Sequence, residues 1–287
     1  MTSASDLIRP VLDHVVINVR SQLDDAVTQF TRLGFKLTER GHHSLGSSNH
    51  LAVFGSDYLE LLGFMPGNEG KRADLMTHPL GLTGLAFRAD DPAMVYDTLR
   101  ARGLPALEPL PFQRPVTLPD GATRDARFTI VRFPAGTVPN GRSFFCHHHT
   151  PELVWRPEWQ AHRNGALGVA EFAIAAREPA RTATLYETMF GRELMSQVAG
   201  GVAFNTAELT LLILTPDAIA ERYHGAAPES ADGSDRMVAL AIAVKSLDTA
   251  RAVLDGEGIP YAPRAVGGLV VPHAHAGNAA LVFVERG

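Results

Sequence analysis

The stretch HVVINVRSQLDDAVTQFTRLGFKLTER, residues 14–40, spells out strand, turn, helix, glycine and strand in that order. A mainly apolar run opens it, and a polar turn with Ser21 and two aspartates follows where a helix start is capped. Leu23, Ala26, Phe30 and Leu33 recur at helical spacing, which predicts one apolar stripe on a helix. Gly34 ends that pattern, at the position where a left-handed C-cap favours glycine.

The same grammar returns three times: GLAFRADDPAMVYDTLRARGLPALEP from Gly84, EFAIAAREPARTATLYETMFGRELMSQ from Glu171, and ALAIAVKSLDTARAVLDGEGIPYAPR from Ala239. Counting from each first residue to the helix-ending glycine (Gly34, Gly103, Gly191, Gly258) gives 20, 19, 20 and 19 positions. Such regularity marks an internal repeat. After each glycine come short strand-like runs, among them FKLTER, NHLAVFG and DYLELLGF in the first unit and ARFTIVRF and GRSFFCHHH in the second. The unit is βαβββ and the class α+β, with four modules paired into two halves. We place the first half at residues 1–150, a linker rich in Trp and Pro at 151–166, and the second half at 167–287.

Composition narrows the field of functions. The chain has 287 residues, 45% hydrophobic and 20% charged, which is ample for globular cores. A net charge of −5 gives no electrostatic reason to expect nucleic acid or an anionic membrane as partner. The single cysteine, Cys146, excludes an intramolecular disulfide framework and suits a reducing compartment. With no secretory signal pattern at the N-terminus, a cytoplasmic location is the expectation.

Paired βαβββ modules resemble the vicinal oxygen chelate superfamily of glyoxalases, extradiol dioxygenases and drug-resistance proteins. The particular strings LDHVVINV (12–19), GSSNHLAVF (46–54), YLELLG (58–63), FFCH (144–147) and HRNGA (162–166) are similar to bacterial glyoxalase-like proteins. The resemblance implies two half-barrel domains, each a cup of strands. It also implies a divalent ion (Fe, Mn, Zn or Ni) held by ligands from the first and last strands of each module. Homodimers are common among such relatives.

Carried over residue by residue, the resemblance puts His14 on a first strand and Glu60 on a last strand. A carboxylate inside the apolar run YLELLGF is costly to bury unless it is paired. On the last strand of the second module the ligand position falls on His147, which makes a two-His, one-carboxylate set with open coordination positions. Strand alternation then puts Phe145, His147 and His149 on one face and Phe144, Cys146 and His148 on the other. His42, Asn49 and Phe145 are the expected substrate contacts, and Glu60 is also a candidate general base. Gly84 departs from the pattern, since it offers no side-chain ligand, and the second half carries Glu171 where the first has His14. Glu171 is expected to pair with a base rather than with an ion.

The implied function is metal-dependent lyase, isomerase or ring-cleaving dioxygenase chemistry on a small organic substrate with adjacent oxygens. The alternative is a metal-free, small-molecule-sequestering protein of the same fold.

Overall fold

The computed structural model describes residues 8–286. The first half runs β1 (Leu12–Arg20), α1 (Leu23–Arg32), β2 (Gly41–His42), β3 (Ser48–Val53), β4 (Tyr58–Gly63), α2 (Ala73–Thr77), β5 (Gly81–Arg88), α3 (Pro92–Ala101), β6 (Leu110–Thr117), β7 (Thr123–Arg132) and β8 (Arg142–His148). The second half runs β9 (Ala166–Ala175), α4 (Pro179–Phe190), β10 (Met195–Val198), β11 (Gly201–Asn205), β12 (Thr210–Leu214), α5 (Pro216–Arg222), β13 (Arg236–Val244), α6 (Leu247–Gly256), β14 (Ala262–Pro263), β15 (Leu269–Val271) and β16 (Ala280–Glu285).

Each half forms one eight-stranded mixed sheet, ordered β2-β3-β4-β1-β5-β8-β7-β6 and β10-β11-β12-β9-β13-β16-β15-β14. The two orders are the same, so each sheet joins two βαβββ modules through an antiparallel pair of first strands. Helix ends follow the expected chemistry. Asp91 caps α3 by accepting from Ala93 N–H and Met94 N–H, and Pro92 takes the first helical turn. Gly34, Gly103, Gly191 and Gly258 all adopt positive φ just after their helices.

The first sheet curls until its edges touch, where Ser44 N–H donates to Gln113 O at 3.0 Å. Alternation then sorts its side chains. Val15, Ile17, Leu59, Leu61, Leu85, Phe87 and Phe145 enter a core shared with the helices and the second sheet. Val16, Leu51, Val53, Leu62, Ala86, Phe144 and Cys146 point into the hollow of the curl. The halves meet through that shared core, where Phe87 lies edge-on to Phe190 at 4.7 Å and Phe35 stacks on Phe283 at 6.1 Å.

Two local differences from the sequence reading have physical causes. Residues 35–40 form no strand. Thr38 bonds Leu51 through its backbone N–H and its hydroxyl, and the ladder with β3 begins only at Gly41. Helix α5, which lies between β12 and β13 as α2 lies between β4 and β5, is outside the βαβββ unit and fills the hollow of the second sheet. Among the described residues no helix is long and apolar enough to cross a membrane.

Candidate functional site

The hollow of the first sheet holds a cavity of about 100 Å³. Its apolar wall is Leu51, Leu62, Phe112, Phe128, Ile130 and Phe144. Its polar groups are His14, His43, Asn49, Glu60 and the guanidinium groups of Arg72, Arg114, Arg132 and Arg142. Beside the cavity the linker turn lays Trp155 against Tyr58 (6.0 Å) and His148 (4.6 Å). Asn18 holds the α2 segment by donating to Leu75 O at 2.8 Å and Pro79 O at 3.0 Å.

Glu60 sits at the centre, only 7% exposed. Asn49 Nδ2–H donates to its Oε1 at 2.6 Å, His14 Nε2 stands 3.9 Å from Oε2, and His43 Nε2 stands 3.9 Å from Oε1. Burial alone would push the carboxyl up, but His43, His14, the Asn49 bond and Arg142 together hold it below its ordinary value. It is therefore a carboxylate at neutral pH. His43 is pushed down to about 3, chiefly by burial and further by the charges of Arg114, Arg72 and Arg142, while Glu60 pulls it the other way.

His14 owes its aim to a β-bulge. Along β1 and β5, Leu12 pairs with Phe87 but His14 pairs with Ala86, which leaves Asp13 as an extra residue. The bulge brings two successive side chains together, and Asp13 Oδ1 accepts from His14 Nδ1–H at 2.6 Å and from His148 Nε2–H at 3.0 Å. Asp13 is fully buried; burial opposes its charge, but His148 and His14 hold its carboxyl well below the ordinary range. With the Nδ1 proton committed to Asp13, His14 turns Nε2 toward Glu60. The ring is further fixed by stacking on Tyr58 at 4.5 Å.

The structure brings His14, Asn49 and Glu60 together and separates the other expected residues from them. His147 faces away from the cavity, where its Nδ1–H donates to Ala89 O at 2.8 Å. On β8 it is Arg142, Phe144, Cys146 and His148 that share the inner face, so the expected register is off by one residue. The cause is pairing: Gly84 lies opposite Arg142 and Ala86 opposite Phe144, and both glycine and alanine belong to the inner face of β5. Phe145, expected as a substrate contact, is instead buried in the shared core beside Phe87. His42 is exposed and bonds Ser48 Oγ at 2.8 Å, while its neighbour His43 lines the cavity. Asp13 and the four arginines escaped the sequence reading. Alternation could have found Arg142 beside Phe144; nothing local marks Asp13, because a bulge has no sequence signature.

These residues do not fit the divalent ion that the resemblance implies. In β1 and β4 His14 pairs with Tyr58, and in β5 and β8 Gly84 pairs with Arg142. Two residues beyond Tyr58 is Glu60; two beyond Arg142 is Phe144. The second module thus offers Gly84 and Phe144 where the first offers His14 and Glu60, and neither has a donor atom. Gly84 has no room for one: a Cβ there would meet Val16 Cβ and Cγ2 at 2.7 Å. The charges of Arg114 and Arg142 acting on this one carboxylate also oppose a dication. Elsewhere, Asp13, Cys146 and His148 place one donor atom each within 4.8 Å of one another, which makes a possible buried metal group. There Asp13 Oδ1 already serves two imidazoles, Arg88 Nε stands 3.8 Å from Oδ2, and burial pushes the Cys146 thiol up.

The second hollow is filled. Ile219, Tyr223 and Ala227 occupy it among the alanines of β9, β11 and β13. Glu171, in the position of His14, accepts from Tyr223 O–H at 2.6 Å, Arg222 Nη2–H at 2.5 Å and Arg264 Nη1–H at 2.8 Å. The expected pairing of Glu171 with a base is what the structure contains.

An eight-stranded curl of two βαβββ modules around a polar-floored cup defines a protein of the vicinal oxygen chelate type. Residues 12–190 match the family described as a glyoxalase-like domain, and the chain belongs to that family. Among solved structures, a hypothetical protein from Staphylococcus aureus aligns with a TM-score of 0.66 at 10% identity, over 96% of this chain and 99% of that one. A mutant of 4-hydroxymandelate synthase from Streptomyces coelicolor aligns with a TM-score of 0.59 at 14% identity, over 97% and 93%. A xylose isomerase-like TIM barrel/4-hydroxyphenylpyruvate dioxygenase fusion protein aligns with a TM-score of 0.51 at 13% identity, over 98% of this chain and 49% of that one. Identities this low show a shared fold. No curated protein matches the sequence.

Proposed function

We propose that the first cup is the site of an enzyme acting on a small organic substrate with adjacent oxygens, and that Glu60 is its general base. One observation carries this reading. A carboxylate buried to 7% exposure is kept ionised, fixed by Asn49 and aimed into the cup opposite His14. Such a group takes a proton from a carbon beside a carbonyl. The C–H bond breaks, the proton goes to Glu60, and the electron pair moves onto the carbonyl oxygen. Arg114 and Arg142, whose charges both act on Glu60, offset the negative charge that develops there. Return of the proton to the neighbouring carbon is isomerisation, and loss of a leaving group is a lyase reaction. Of the reaction types that the resemblance implies, these two follow from proton transfer by residues in place.

The donorless Gly84 and Phe144 and the filled second hollow favour a second reading, a protein that binds its ligand without changing it. Deuterium exchange separates the two. A panel of 2-oxo acids and 1,2-diketones in heavy water, followed by proton NMR, is expected to show catalysed exchange beside the carbonyl. Glu60→Gln should slow it by about a hundredfold or more. Binding without exchange in any member would transfer the case to the sequestering reading. Metal analysis beside it is expected to show that Glu60→Gln leaves divalent-ion content unchanged.

A further inference from the structure

Four guanidinium groups line the cup, and their counter-charges do not balance them. Arg72 is held on both sides by Asp74, at 2.8 and 2.7 Å. Asp74 then stands 3.5 Å from Arg142, whose buried Nε has no hydrogen-bond partner. Arg114 is the clearest case. It is 3% exposed, and its guanidinium makes no hydrogen bond or ion pair with the described residues; Tyr58 and Glu60 are the acidic groups near it. Next to it the Asn49 Oδ1 is also buried and unpartnered. Gly41 makes their close approach feasible, since a Cβ there would meet Asn49 Oδ1 at 2.5 Å and Arg114 Nη1 at 2.8 Å.

An unpaired guanidinium buried beside aromatic rings costs several kcal/mol, and a protein keeps one where a ligand completes it. Its planar fork matches the two oxygens of a carboxylate or phosphate. We propose that the ligand of this cup carries such an anionic group, docked on Arg114 and Arg142, with an apolar or aromatic body against Phe112, Phe128 and Phe144. The inference rests on the cup being the ligand site and adds the chemical class of what enters it. The anion would lie within reach of Glu60, since Arg114 and Arg142 both stand close enough for their charges to act on it.

Calorimetric titration with three probes of similar shape tests it: benzoate, phenyl phosphate and the neutral benzamide. At least one anion is expected to bind ten times or more as tightly as benzamide, and which anion wins identifies the group. Arg114→Met should erase that preference and Arg114→Lys should retain part of it. If Arg114→Met fails to fold by its thermal melt, Arg142→Gln, at the more exposed arginine, is expected to weaken anion binding in its place. Glu60→Gln should keep or tighten benzoate binding while losing proton exchange, which separates this inference from the role given to Glu60. Equal binding of benzamide and both anions overturns the anion site and leaves the cup as a ligand site. Binding of none of the three overturns both.

Discussion

Asp57 ties the two sheets together, and its protonation should set how stability depends on pH. It lies just before β4, is 3% exposed, and its Oδ1 accepts from Val169 N–H of β9 at 3.0 Å. Burial pushes its carboxyl up to about 7 from an ordinary value of 3.8; Glu208 and Asp13 add to the rise, and the Val169 bond opposes it. The folded chain therefore holds this proton more tightly than the unfolded chain does. Its contribution is full below the ordinary carboxylate range and is lost as pH rises through about 7. A difference of about three units at about 1.4 kcal/mol each comes to roughly 4 kcal/mol by mildly alkaline pH. Asp57→Asn keeps the shape and the acceptor oxygen and never ionises. It should match the parent near pH 4 and exceed it by roughly 4 kcal/mol near pH 8, gaining about 1.4 kcal/mol per unit between. Urea unfolding of both proteins across that range measures the difference directly. An offset between them that does not vary with pH would refute the reasoning.

Two further outcomes concern the empty and filled ligand positions. Gly84→Ala should cost about 1–3 kcal/mol in chemical unfolding, because its Cβ meets Val16 and the strands must part; an unchanged midpoint would show that β1 and β5 yield freely. Glu171→Gln should destabilise by about 3–5 kcal/mol, since Arg222 and Arg264 lose a shared charge, yet leave benzoate binding in the first cup unchanged. Weakened benzoate binding in a folded Glu171→Gln protein would show the hollows to be coupled.

The four modules were legible because their signals are local. Helical spacing such as Leu23, Ala26, Phe30 and Leu33, a cap such as Asp91, and glycines with positive φ each act within a few residues of themselves. Glu60 was legible too, as a carboxylate inside an otherwise apolar strand, and His14 was legible through its place on the first strand in the resemblance. Family resemblance then supplied the pairing of modules that local signals do not contain.

The choice between His147 and His148 was decided by tertiary structure. A strand's two faces alternate with a period of two, so a single step in the pairing of β8 with β5 exchanges every inward side chain for an outward one. That step depends on strands separated by tens of residues. The bulge at Asp13, the convergence of Arg114 from β6 with Arg142 from β8, and the insertion of α5 into the second hollow are of the same kind. Each depends on which distant groups share a small space, and spacing along the chain carries no record of that. The sequence by itself determined the repeating units, their class and the two polar residues at the floor of the cup; the closing of the sheet determined which charges surround them.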